Sequence, residues 1–154
     1  MSHLDNRRLR VYTLIMKATS SCICINTRHA SQAITEFYDR TLAPSGLKIT
    51  QFSVLRELAL QSPLSISELA HRLDLDRTTM GRNLRVLAQD DFVSFAPGQD
   101  RREHTVQMTD KGSQAFAAAC PLWEKAQNTI TNTLGQEQIN AFMNLLSTLE
   151  TATT

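Results

Sequence analysis

The amino-acid sequence predicts a mainly α-helical fold with one small β-hairpin. Apolar residues recur every three or four positions through most of the chain, which is the spacing of amphipathic helices. Near residue 97 this spacing gives way to a Pro-Gly pair between two short stretches with strand character. With 154 residues, 42% of them hydrophobic, the chain suits one domain spanning 1–154 with a real core.

The composition narrows the class of protein. The apolar runs are too short to span a membrane and no secretion signal opens the chain, so a cytoplasmic protein with no membrane partner is expected. The three cysteines are then expected to be free thiols. Basic residues outnumber acidic ones over 1–102 and the reverse holds over 103–154, so an anionic partner should meet the first two thirds of the chain.

The first predicted elements are helices. A short helix is predicted over 7–18 and a longer one over about 21–42, ended by the breaker APSG. Thr50 can cap a third helix, which must stop near Gln61 because Pro63 disfavours helix at the residue before it.

Two short helices then stand close together. The stretch SISE is a capping box in which Ser65 and Glu68 each satisfy a backbone N–H, and it starts a helix with Ile66 on its buried stripe. Asp76 can cap the next helix, which runs to about Gln89. A tight turn joins the two.

A β-hairpin is predicted next. FVSF and REHTVQM flank the stretch PGQD, and Pro97-Gly98 suits the centre of a type II turn. Thr109 can then cap a long helix that ends at Gly135.

A last helix carries an apolar stripe that a small domain has no room to cover, and partner helices are its natural cover. The stripe consists of Ile139, Phe142, Leu146 and Leu149. We therefore predict dimerisation helices over 7–45 and 109–150.

This order of elements, from 48 to 108, is that of a winged helix-turn-helix, and its last helix has a polar face suited to DNA. If Met80 points inward, Thr78, Arg82 and Arg85 fall on the opposite side. Arginine there can bond to guanine edges. The alternative is a face that is charged only for solubility.

Two further features bear on DNA binding. Gly81 permits close approach to the helix, and the tip of the hairpin presents Arg101 and Arg102 where a wing would reach the minor groove. Asp100 is expected to hold one of these arginines in position.

The stretches LDLDRTTMGRNLRVL and DRREHTVQMTDKG resemble the recognition helix and wing signature of the MarR family of bacterial transcription regulators, a similarity covering about residues 22–150. The resemblance implies homodimers with intertwined terminal helices that read pseudo-palindromic operators in double-stranded DNA, usually as repressors. It implies Thr78, Thr79 and Arg82 in the major groove and Arg102 in the minor groove. Ser65, Ser67, Arg77 and Arg85 are candidates for phosphate contacts, or serve only capping and solvation.

Regulators of this kind leave DNA when a small molecule binds or a thiol oxidises, and the sequence has candidates for both. A pocket for a small aromatic or phenolic effector is expected from Arg28, His29, Phe37, Phe52 and Trp123, unless the aromatics are core and Arg28 is solvated.

Cys22 and Cys24 give the second alternative, in which one thiol near the start of a helix senses oxidants; simple packing is the third. Residues two apart on a helix point about 200° away from each other, so the pair cannot bind one metal ion if both are helical. Binding of a soft metal would need the helix to start later, or ligands from a second chain.

The sequence predicts no metal site, no cofactor and no enzyme. No histidine or cysteine cluster has zinc spacing, and no nucleophile, acid–base pair or glycine-rich phosphate loop stands out. The remaining alternative is a winged-helix module that binds protein instead of DNA.

Overall fold

The computed structural model describes residues 22–97 and 104–153. It divides the chain into two compact units, 1–37 and 38–154. The helix predicted over 7–18 lies outside the described residues. In the first unit the described segment is helical from Ile23 onwards.

The described residues form six α-helices, one short 3₁₀ helix and three strands, which confirms the predicted fold class. The helices are α1 Ile23–Leu42, α2 Ile49–Leu60, α3 Ile66–Arg72, α4 Arg77–Gln89, α5 Asp110–Leu134 and α6 Gln136–Thr153. The strands are β1 Leu64–Ser65, β2 Val93–Pro97 and β3 His104–Met108, and the 3₁₀ helix is Ala43–Ser45.

The sheet has three antiparallel strands in the order β1-β3-β2, where the sequence predicted a two-stranded hairpin. The additional strand is β1, whose Leu64 pairs with Val106. Pro97 pairs with His104 in the ladder between β2 and β3, whereas Gly98, the other central residue of the predicted type II turn, lies outside the described residues. The hairpin loop begins after Pro97 and lies outside the described residues.

Three predicted helix caps are confirmed. The Ser65 hydroxyl accepts a hydrogen bond from the Glu68 N–H at 3.2 Å, and the Ser65 N–H donates to the Glu68 carboxylate at 2.7 Å. Asp76 caps α4, and Thr109 caps α5 by accepting from the Gly112 N–H at 3.0 Å.

The predicted cap at Thr50 is wrong, because α2 begins at Ile49 and its N-cap is Lys48, two residues before Thr50. The Ile49 N–H donates to the Asp39 carboxylate at 2.8 Å, and the Lys48 N–H donates to the Gln51 side chain at 2.9 Å. A carboxylate ten residues away therefore takes the role that was assigned to the Thr50 hydroxyl.

The hydrophobic core of the second unit fixes the two helices of the helix-turn-helix. Leu69 of α3 and Met80, Leu84 and Leu87 of α4 are buried, with 0% of each exposed. Burying such a side chain contributes about 1.5–3 kcal/mol. The inward direction predicted for Met80 is thereby confirmed.

The long helix α5 ends at Leu134 with Gly135 as its C-cap, as predicted, and contains Pro121. The final helix α6 leaves large apolar side chains exposed, among them Met143 at 58% and Leu145 at 63%. No helix within the described residues is long and apolar enough to cross a membrane.

Candidate nucleic-acid interface

The N-terminus of α4 is held by Asp76. Its carboxylate accepts hydrogen bonds from the Thr79 hydroxyl at 2.6 Å and the Thr79 N–H at 2.9 Å. These bonds, the hydroxyl first, lower the pKa of Asp76 below its usual range. The Thr79 hydroxyl is therefore directed at the cap, and its expected contact with the major groove remains a prediction.

The two faces of α4 differ in polarity, as the sequence predicted. Met80, Leu84 and Leu87 are buried on one side. Of the residues on this helix that are predicted to contact DNA, Thr79 is half-buried. The other four are exposed: Arg77, Thr78, Arg82 and Arg85. The helix thus presents three guanidinium groups and a hydroxyl outward.

These four exposed residues line one hollow of about 480 Å³. Its lining is Ile66, Arg77, Thr78, Gly81, Arg82 and Arg85. Among the described residues the ion pairs within 4.0 Å join Glu57 to Arg56 and to Arg72, so none of the arginines of the hollow forms a close ion pair there. Arg82 interacts with the Asp76 carboxylate at longer range and helps to lower the pKa of Asp76. The charge of the arginines is available to an anion such as a DNA phosphate.

Ile66 was predicted on the buried stripe of α3, but the structure shows it half-buried at the edge of this hollow. It is the first helical residue after the Ser65 cap, so no preceding turn of the helix lies beside its side chain. The cap was the signal from which this position could have been inferred.

Gly81 lies in the same hollow, in the middle of α4. A Cβ atom added there would meet nothing within 4 Å among the described residues, so their packing does not require a glycine. Glycine inside a helix costs about 0.8–1.0 kcal/mol relative to alanine.

The helix α3 is positioned against α2 by an ion-paired arginine. Arg72 donates to the Gln61 side chain and lies 3.6 Å from the Glu57 carboxylate, which is mostly buried. At the other end of α3, the hydrogen bond from the Ser65 N–H, followed by that from its hydroxyl, lowers the pKa of Glu68. Ser65 is half-buried in this cap, whereas Ser67 is exposed.

The end of α4 is attached to the start of α5. The Thr109 hydroxyl donates to the Asp91 carbonyl at 2.6 Å, and the Lys111 ammonium donates to the Asp90 carbonyl at 2.7 Å. The Lys111 ammonium also lies 5.3 Å from the centre of the Phe92 ring, within cation–π range. The recognition helix is therefore fixed at both ends.

The predicted wing residues Asp100, Arg101 and Arg102 lie outside the described residues. The strands that lead to them, β2 and β3, are described and pair along five residues each. The minor-groove contact of the wing stays a prediction.

The residues predicted for an effector pocket fall in different units. Arg28 and His29 are exposed and Phe37 is half-buried, all three in the first unit. Phe52 is buried in the core of the second unit, and its ring lies 5.9 Å from that of the half-buried Trp123. The pocket stays a prediction, and for Phe52 the packing favours the core alternative.

The three cysteines differ in exposure. Cys24 is exposed, whereas Cys22 and Cys120 are partly buried. Burial, followed by the nearby Glu124 carboxylate, raises the pKa of the Cys120 thiol. Within the described residues no group of three or more histidine, cysteine or acidic side chains is arranged to hold a metal ion.

Comparison with known proteins places this geometry among DNA-binding regulators. A family model described as the MarR family matches residues 47–104. The structure of the Mycobacterium tuberculosis transcriptional regulator MosR in complex with DNA is 37% identical, covers 86% of this chain and 98% of that one, and has a TM-score of 0.75.

Two further relatives agree with this result. The transcriptional repressor CouR bound to a 23-mer DNA duplex is 26% identical, covers 88% of this chain and 96% of that one, and has a TM-score of 0.78. CouR has also been solved bound to p-coumaroyl-CoA. An HTH-type transcriptional regulator of Staphylococcus aureus is 23% identical over 100 residues, 63% of this chain and 68% of its own length.

Proposed function

The chain belongs to the MarR family of DNA-binding transcriptional regulators, and we propose that it acts as a homodimeric repressor released from a pseudo-palindromic operator by a small aromatic or phenolic effector. Arg82 and Thr78 of α4 read bases in the major groove, while Arg77, Arg85 and Ser67 contact phosphates. Arg101 and Arg102 contact the flanking minor groove.

The observation that carries this proposal is the hollow on the exposed face of α4. Three arginines line it without a carboxylate within 4.0 Å among the described residues, and the opposite face of the helix is buried in the core. A face charged only for solubility would gain nothing from placing three arginines so close together, because like charges at helical spacing repel one another. A polyanion relieves that repulsion and releases counterions.

Fluorescence anisotropy with duplexes from the promoter region of its own gene tests the proposal. We expect binding at least a thousandfold tighter than to a scrambled duplex at physiological salt. Arg82→Ala should weaken binding and reduce the preference for the operator, whereas Arg85→Ala should weaken both duplexes alike and lower the salt slope by about one. Lys125→Ala, which removes an exposed charge from α5, is the matched control.

No preference for the operator by the wild type would refute the proposal. It would favour the alternative, a winged-helix module that binds protein.

The homodimer is supported by the apolar face that α6 exposes. Phe142, Met143 and Leu145 are 41%, 58% and 63% exposed, which is costly in water unless a second chain covers them. Leu145→Lys should convert the dimer to a monomer in light scattering after gel filtration, whereas Asn144→Lys on the same turn should not. A dimer that survives Leu145→Lys would remove α6 from the interface.

The aromatic effector is supported by the ligand that CouR binds and by the half-buried indole of Trp123. Trp123 is the single tryptophan of the chain, so its fluorescence reports ligand binding directly. A ligand that quenches this fluorescence should also release the operator duplex over the same concentration range. Quenching without release would refute the effector role of that compound.

The exposed thiol of Cys24 supports a second mode of release, oxidation. If this mode operates, peroxide should release DNA from the wild type and from the Cys120→Ser variant. It should not release DNA from the double variant that carries both Cys22→Ser and Cys24→Ser. Equal release from all three proteins would remove the thiol mechanism.

A further inference from the structure

Gly81 is the residue of the recognition helix whose identity the protein itself does not explain. A Cβ added there meets no atom within 4 Å, so no neighbour demands the missing side chain. Its φ is that of an ordinary helical residue, which alanine adopts as easily. The packing of the described residues therefore does not account for a glycine at this position.

The lining of the hollow combines apolar and cationic groups. Gly81 offers only its Cα, and Ile66 of the neighbouring helix contributes a half-buried aliphatic side chain. Arg82 and Arg85 border the same hollow. An occupant should therefore be anionic overall and carry a small apolar group.

DNA has one apolar group in the major groove, the C5-methyl of thymine. The phosphates and guanine edges around it are acceptors for guanidinium groups. We propose that Gly81 is a specificity-determining residue, whose missing side chain leaves room, beside Ile66, for the methyl group of one operator thymine. This inference rests on the proposed function, since it requires α4 to lie in the major groove.

The chemistry gives the size of the effect. Burial of one methyl group contributes a factor of about four in affinity. Replacing the contacted thymine with deoxyuridine removes only that methyl and leaves every hydrogen-bonding group in place. The wild type should therefore bind that duplex about fourfold more weakly, and duplexes substituted at the other thymines less than twofold more weakly.

The Gly81→Ala variant places a methyl group of its own in the hollow. It should bind the natural operator more weakly than the wild type and should bind the thymine and deoxyuridine duplexes equally. Its melting temperature without DNA should equal or exceed that of the wild type, because alanine favours the helix. Gln89→Ala, an exposed change at the end of the same helix, is the control and should keep the fourfold discrimination.

The experiment is an anisotropy titration of the three proteins with the operator and a series of singly substituted duplexes. Failure of the wild type to prefer the operator over a scrambled duplex refutes the proposed function. Specific binding in which no deoxyuridine substitution matters, or in which Gly81→Ala discriminates as well as the wild type, refutes the role of Gly81 alone. A melting temperature lowered by Gly81→Ala also overturns it, because the space would then not be empty.

Discussion

Gly112 is expected to tolerate no side chain, although it lies in the first turn of a helix where alanine is ordinarily favoured. A Cβ added there would lie 2.0 Å from the Phe92 carbonyl oxygen and 2.9 Å from Cγ of Met108. The Met108 side chain is able to rotate, but the Phe92 carbonyl is backbone. That carbonyl also accepts a hydrogen bond from the Thr109 N–H at 3.1 Å, so moving it breaks a bond.

The expected loss of stability for Gly112→Ala follows from three contributions. Overpacking costs about 1–3 kcal/mol, and the upper end applies because the obstacle is main chain. The broken hydrogen bond adds about 1 kcal/mol, and the higher helix propensity of alanine returns about 1 kcal/mol. The net destabilisation of roughly 3 kcal/mol corresponds to a fall in melting temperature of about 6–12 °C for a chain of this size.

Thermal unfolding followed by circular dichroism, at equal protein concentrations because a dimer is proposed, measures this change. Gly81→Ala is the matched control, since the same substitution in open space should stabilise by about 0.8–1.0 kcal/mol. Melting temperatures that shift in opposite directions support the difference between the two glycines. A Gly112→Ala protein as stable as the wild type would refute the reasoning, because the Phe92 carbonyl would then be free to move.

Three further outcomes are expected from local chemistry. The pKa of Asp76 is lowered in the folded state. Its cap therefore stabilises the fold fully above the unfolded pKa of about 3.9, and this stabilisation is lost as the pH falls through the folded pKa. The difference in melting temperature between wild type and Asp76→Ala should shrink from pH 6 to pH 3. Thr109→Ala should cost about 1 kcal/mol in urea unfolding, and Thr109→Ser should restore most of it. Iodoacetamide at neutral pH should label the exposed Cys24 before Cys120, whose pKa is raised, as followed by peptide mass spectrometry; the reverse order would contradict the burial of Cys120.

The parts of the fold that sequence predicted well are those decided by neighbours in the chain. The caps at Ser65, Asp76 and Thr109 each join groups three residues apart, and the buried residues of α4, Met80 to Leu87, span only about two turns of helix. The start of α2 was predicted wrongly because it depends on the Asp39 carboxylate, which accepts a hydrogen bond from the Ile49 N–H. The tertiary fold brings that carboxylate to the helix.

Strand β1 was not predicted because it too depends on the tertiary fold. A two-residue segment has no periodicity, and it becomes a strand only because β3 lies beside it, with Ser65 paired to Thr105. The candidate site was also predicted only where it depends on local sequence. The exposed arginines followed from helical periodicity, but the half-buried position of Ile66 and the space at Gly81 depend on how α3 and α4 pack.

The attachment of α4 to α5 offers a physical route for the release from DNA that we propose. Hydrogen bonds from Thr109 and Lys111 fix the carbonyls of Asp90 and Asp91, the two residues that directly follow α4. The Phe92 carbonyl, which accepts from the Thr109 N–H, presses against the first turn of α5, where there is no room even for a methyl group. Closely packed protein interiors transmit strain. If the proposed effector shifts the start of α5, we therefore expect the end of α4 to move with it.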